Sequence, residues 1–342
     1  MLLNPFSVTM LSLALVSSIM ALYGVGWVFK EMVHWKRPMA EPARHNVFEK
    51  RINLILWFAS IVLALRLFSY PLFYGALQSF VKDVDGAMCI YGVTQVLPDL
   101  YTFLEVVKPF IIFFIGGWLI LHSLTRQCKT RSLVLRKLMF LLGITVGILV
   151  DSMGDMVFFL NMNCDTSVTC CTPKIDSPYR LSATVSRYLL GQCYEQALLL
   201  VYYLSNLVLL GAAGYVIRKK GLEGKVARRK RSLGLVFFLG VTNLFLAGLA
   251  LAEVIAPRLM NLPYHHCPYC LLQYVPDSSL IIGFFMLGTF GFGWAFGLEV
   301  VTKYKEKTGN LSVYLNNLYR FSILGLSLSL VMVTLHLLWG GR

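Results

Sequence analysis

Cys267 and Cys270 enclose Pro268 and Tyr269. Two residues between cysteines let both sulfurs approach one metal ion or close a disulfide. If Cys267 opens a helix, the positive helix end favours its thiolate and makes it a nucleophile or a soft-metal ligand. His265 and His266 stand directly before it, and imidazole beside thiolate suits zinc or copper. Three chemistries fit this pattern: a redox-active pair, a metal site or a structural disulfide.

The pattern has an ungapped partner earlier in the chain. Cys89, Tyr91, Gln95, Pro98 and Asp99 match Cys267, Tyr269, Gln273, Pro276 and Asp277, five identities in eleven positions. Met88, whose thioether suits Cu(I), precedes Cys89, and Gly92 stands where the second copy has Cys270. The first copy therefore lacks a thiol pair of its own. Either it has lost the role, or Cys89 partners a sulfur of the second copy. Of the eight cysteines, Cys164, Cys170 and Cys171 fall in one polar connector, where they staple a loop or relay electrons. Cys193 stands near the start of the next apolar run, and Cys128 lies at the opposite end of the third.

The elements that carry these loops are apolar. The chain is 57% hydrophobic and 14% charged, with mean hydropathy +0.67, which fits a multi-spanning membrane protein. Eight segments reach the roughly 20 residues a span needs: 6–29, 53–80, 101–124, 134–160, 189–217, 233–256, 279–300 and 319–338. The first, without a basic region ahead of it, reads as a retained span. The net charge of +14 collects in the loops after spans one, three, five and seven. It therefore reads as an orientation signal rather than a nucleic-acid surface. Both termini and both cysteine loops then lie outside, on the periplasmic face if the membrane is a bacterial inner membrane. Gly26–Lys30 resembles Gly214–Arg218, and Leu142–Val146 resembles Leu324–Leu328. The expected fold is therefore an all-α integral membrane protein of eight transmembrane helices in two tandem four-helix repeats. These are 1–160 and 189–342, with 161–188 as external connector. Four spans per repeat keep both copies in one orientation, about an axis along the membrane normal.

Ionisable residues inside spans are costly and count as functional candidates. Arg66 follows Arg51 by about 15 residues, so it lies about 22 Å into the bilayer. Asp151, Asp155 and His336 reach a similar depth, while Glu105, Lys108, Glu195 and Glu253 enter from outside. Two readings stand: internal pairing, Arg66 with Asp151 or Asp155 and Glu105 with Lys108, or a polar vestibule for protons, a ligand or a cation. GTFGFG at 288–293 reads as helix packing. The triplet at Asn310 falls inside, away from glycosylation.

The CPYC segment at 267–270, with the apolar run behind it, resembles vitamin K epoxide reductase-like membrane thiol oxidoreductases. The resemblance covers about a dozen residues. It implies a quinone-facing pair at Cys267 and Cys270, and a shuttle pair of Cys164 with Cys170 or Cys171. The chain departs from that pattern in having eight spans rather than four, and in Pro276-Asp277 placing the CxxC ahead of its span.

Thiol and electron handling at the outer face is the leading expectation, with Cys267, Cys270 and Cys89 reactive, and Cys164, Cys170 and Cys171 as relay. The acceptor would be a quinone and the partner a periplasmic thiol or redox protein. The alternatives are a permease that captures a soft transition metal on His265, His266, Cys267, Cys270, Met88 and Cys89, or a membrane anchor for a periplasmic redox partner.

Overall fold

The computed structural model describes residues 4–35, 42–125, 131–169, 175–218, 226–302 and 311–339. Cys128, Cys170, Cys171 and Asn310 lie outside the described residues, as does much of each basic loop. Among the described residues every regular element is helical, and eight helices are long and apolar enough to cross a membrane. Their outward faces carry large apolar side chains, such as Phe68, Phe238 and Leu324, all more than 60% exposed. Such surfaces belong in lipid, and the chain is an integral membrane protein.

The chain divides into two compact units, Met1–Val168 and Thr169–Arg342. In the first, α1 (Pro5–Trp35), α2 (Pro42–Phe80), α4 (Pro98–Leu124) and α5 (Arg131–Asn161) are the long helices, and α3 (Ile90–Thr94) is a single turn. Helix α1 packs on α2 and α5, and α4 packs on α2 and α5, which closes a ring of four. Trp118, Ile55, Leu63 and Ile115 fill its interior. Pro71 and Pro109 are absorbed inside α2 and α4 without ending them. Membrane helices tolerate this because neighbouring groups re-satisfy the freed carbonyls. The loop after α2 is tied to the segment after α5: the Val168 amide donates to Asp85 O at 2.9 Å. Gly86 turns there at φ +79°, where a Cβ would overlap Val168 O.

In the second unit α6 (Leu181–Leu190) is short, and Gly191, at φ +83°, separates it from α7 (Tyr194–Arg218). The fifth span therefore starts at Tyr194 rather than 189, because the glycine breaks the helix before the apolar run begins. Helix α8 (Val226–Ala250) runs through a π turn (Leu251–Ile255) into α9 (Ala256–Leu259). Then come α10 (Pro268–Tyr274), α11 (Ser278–Val301) and α12 (Leu311–Trp339). Helix α7 packs on α8 and α12, and α11 packs on α8 and α12, so the long helices of this unit have the same neighbour order. The glycines of GTFGFG set the α11–α12 approach. A Cβ on Gly288 would lie 2.8 Å from Leu326 N, one on Gly291 would strike Ser322 Oγ, and one on Gly325 would lie 2.9 Å from Phe284 O.

Candidate functional site

The second unit positions the thiol pair through one irregular turn. Pro257 has no N–H, so the end of α8 cannot close regular bonds around it. The Ala256 amide reaches back five residues to Leu251 O rather than four to Ala252 O. His266 Nδ1 lies 3.1 Å from Ala252 O. A carbonyl only accepts, so Nδ1 carries the proton, and in the neutral ring Nε2 keeps its lone pair. Asp176 holds the same step from the other side: Oδ2 lies 2.8 Å from His265 Nδ1, and Oδ1 accepts from the His266 amide at 2.9 Å.

Cys267 follows immediately, as the N-cap of α10, with Pro268 at the first helical position. Proline suits that position because its missing N–H would have no helical acceptor there. Cys270 lies in the first turn, and the two sulfurs are within 4.8 Å of each other. Both are buried thiols. The CxxC thus caps a helix of its own ahead of α11, whose N-cap is Asp277. Asp277 Oδ2 lies 2.6 Å from His336 Nε2, so this histidine belongs to the end of its own bundle that bears Cys267 and Cys270.

The first unit repeats the cap but not the pair. Cys89 is the buried N-cap of α3, and Pro98 opens α4. A Cβ at Gly92 would lie 2.8 Å from Ala87 Cα, within backbone reach, so a side chain has no room where the second unit has Cys270. Met88 is 73% exposed. Cys164 lies in the segment after α5, where burial, and after it the charge of Asp83, pushes its thiol above the usual range. Cys193 is exposed just before α7.

Four ionisable side chains meet inside the first bundle. Asp151 and Asp155, one turn apart on α5, share the same two cations. Arg66 from α2 bonds Asp151 Oδ2 and lies 2.6 Å from Asp155 Oδ2. Lys108 from α4 lies 3.0 Å from Asp151 Oδ1 and 2.6 Å from Asp155 Oδ1. All four are buried, and Lys108 Nζ also stands 4.2 Å over the Phe73 ring. The expected Arg66 pairing is present. Lys108, expected to pair with Glu105 on its own helix, reaches across to span four instead, because its side of α4 faces inward while Glu105 is exposed. Phe73, Tyr101, Phe158 and Phe159 pack together toward the Cys89 end, so the four charges are closed off rather than set in an open vestibule.

Glu253 is buried in the π turn. Arg180 grips it in a two-pronged bond, Nε to Oε1 at 2.7 Å and Nη2 to Oε2 at 2.6 Å, and Tyr194 Oη donates to Oε2 at 2.8 Å. Glu195 is exposed in the first turn of α7, where a carboxylate complements the helix dipole. Sequence reasoning did not single out Asp176, Arg180 as a partner of Glu253, or the Asn206–Asn243 amide pair at 3.1 Å inside the second bundle. The amides carried a usable signal, being polar residues in apolar runs. Asp176 carried none, since a lone acid in a polar connector looks like any solvated loop residue.

Comparison of the chain with protein-family models, curated proteins and solved structures finds no match.

Proposed function

We propose that this membrane protein carries out thiol–disulfide exchange at Cys267 and Cys270. The observation that supports this most directly is the pair itself: two buried thiols with sulfurs within 4.8 Å, on one helical turn. His266 precedes them with Nδ1–H engaged by Ala252 O, which leaves Nε2 able to take a proton. Oxidation of the dithiol forms one S–S bond and releases two electrons and two protons. The acceptor is a quinone, reduced to the quinol, or the disulfide of a partner protein, reduced to two thiols. Cys89 is the third thiol of the proposal on its sequence match to Cys267, and Cys164, Cys170 and Cys171 are the relay. The site faces the periplasm of a bacterial inner membrane, on the charge distribution of the loops.

The two units are read as copies of one four-helix ancestor. The shared neighbour order of their long helices and the cysteine cap in each support this.

Thiol mapping by mass spectrometry, on protein purified anaerobically without reductant, tests the reading, with metal analysis of the same sample. A Cys267–Cys270 disulfide that opens with mild reductant and re-forms with added quinone or a disulfide-bonded partner is the expected result. Reductant-resistant cysteines, or full function in a Cys267→Ser/Cys270→Ser variant, would sink it. A second reading, soft-metal capture, is favoured by the burial of two thiols so close together. Stoichiometric copper or zinc released by thiol alkylation would replace the first reading with the second.

A further inference from the structure

Helix α6 has its faces reversed. Leu181, Val185, Tyr188 and Leu189 fall at positions i, i+4, i+7 and i+8 and form one apolar stripe. A helix packed on a protein in water turns such a stripe inward. Here Leu181 is 79%, Tyr188 90% and Leu189 54% exposed, while Ala183 and Ser186 are buried on the opposite side. Tyr179, just ahead of the helix, is 85% exposed.

The inward side is held in place. Helix α6 packs on α7 and on the π turn, and Arg180 at its N-cap is locked to Glu253 by the two-pronged bond. Arg187 stands 5.9 Å over the Tyr194 ring. Only Gly191, Gln192 and Cys193 separate α6 from the span that starts at Tyr194. The stripe is therefore presented beside the end of a membrane span, whose own outward side chains, Leu200 and Leu204 among them, are apolar and exposed.

We propose that α6 is an interfacial helix that lies on the bilayer. Its Leu181–Leu189 stripe enters the boundary between headgroups and acyl chains, while the Arg180–Glu253 and Arg187–Tyr194 contacts hold its opposite side to the protein. Amphipathic helices with aromatic and leucine side chains on one face and arginine on the other bind such boundaries. Tyrosine is enriched at that depth because its ring is apolar and its hydroxyl wet. The Arg180–Glu253 bond then couples the lipid surface to the π turn that orients His266. The ligand is a phospholipid surface, not a protein.

The test uses the full chain in vesicles of phosphatidylcholine and phosphatidylglycerol. Tyr188 is replaced by p-benzoylphenylalanine, and in a second preparation Leu207, 56% exposed on α7, carries the same probe. After irradiation, the peptide bearing position 188 is expected to gain the mass of one phospholipid, as the peptide bearing position 207 does. A protein adduct at 188, or lipid adducts at 207 without any at 188, would overturn the proposal. Amide exchange of a Leu181→Asp/Leu189→Asp variant gives an independent readout, since neither side chain is buried in the protein. Exchange across 181–190 is expected to speed up in vesicles while α7 keeps its protection. Unchanged exchange would place the stripe in water and also overturn it.

Discussion

The two units have long helices with the same neighbour order, yet they place their polar groups differently. The first joins Arg66, Lys108, Asp151 and Asp155 in one buried cluster and offers a single capping thiol. The second keeps two separate buried ion pairs near helix ends, Glu253 with Arg180 and Glu299 with Arg229, sets neutral amides, Asn206 with Asn243 and Ser205, between its helices, and offers two thiols. Under the proposed duplication, the offset between the cysteine loops sets Leu244 and Met286 against Arg66 and Lys108. The offset of the later match sets Val333 and Leu337 against Asp151 and Asp155. All four charges are thus absent together from one copy. That is the expected pattern for a mutually neutralising set, since losing one member alone leaves an uncompensated charge in a dry interior. On the proposed function, the first unit is held by its ion-pair cluster and the second unit carries the thiol pair.

The largest test of that contrast removes one charge. Asp155→Ala leaves Arg66 and Lys108 facing a single carboxylate and is expected to cost about 3–5 kcal/mol of stability, read by unfolding in detergent. Adding Lys108→Met restores balance and should recover part of the loss. A silent Asp155→Ala would show that the four charges do not lock the first bundle.

The next largest asks why the first unit has one thiol. Gly92→Cys drives a Cβ onto Ala87 Cα, and overpacking of this kind costs about 1–3 kcal/mol. The variant should melt earlier, and under mild oxidation Cys89 should not form a disulfide with the introduced thiol. A stable variant that does form it would mean the units are interchangeable.

A smaller effect is expected from Asn243→Leu in the second unit. Neutral hydrogen bonds inside membrane proteins average about 0.6 kcal/mol, so the melting shift should be a fraction of that for Asp155→Ala. A loss as large as that of the aspartate would erase the distinction between the ion-pair cluster and the neutral amides.

The smallest effect concerns Cys164, a relay thiol of the proposed function. Burial first, and Asp83 second, raise the Cys164 thiol above its ordinary pKa. Asp83→Asn removes the negative charge and lowers that pKa, so more thiolate is present at a given pH and alkylation of Cys164 speeds up. The pH–rate curve should move toward lower pH yet stay above that of a free thiol, because burial remains. An unmoved curve would remove Asp83 from the surroundings of Cys164.

Much of the frame was legible in the linear order of residues. The eight spans follow from apolar length alone; the fifth starts late because Gly191 breaks the helix ahead of Tyr194, and the eighth helix starts at Leu311 rather than 319 because its polar first turns continue the helix beyond the apolar run. Arg66 and the two aspartates could be paired from depth. Lys108 could not, because Glu105 is close in sequence, and only the packing of α4 on α5 makes Asp151 and Asp155 closer in space. Counting residues along a span does not reveal that Asp277, the N-cap of the neighbouring helix, stands beside His336.

Composition and spacing by themselves determined that this chain lives in a bilayer and that the cysteine motif occurs twice, each copy just ahead of an apolar run. Those properties are local, written in runs of side chains and in fixed spacings. Only tertiary structure decided that Gly92 has no room for a side chain, that Ala252 O sets the tautomer of His266, and that the apolar stripe of α6 faces outward. Each depends on which backbone stands opposite, within an ångström or two. The path of the backbone sets that distance, over five residues at Ala87–Gly92 and over fourteen at Ala252–His266, and residue types alone do not state it.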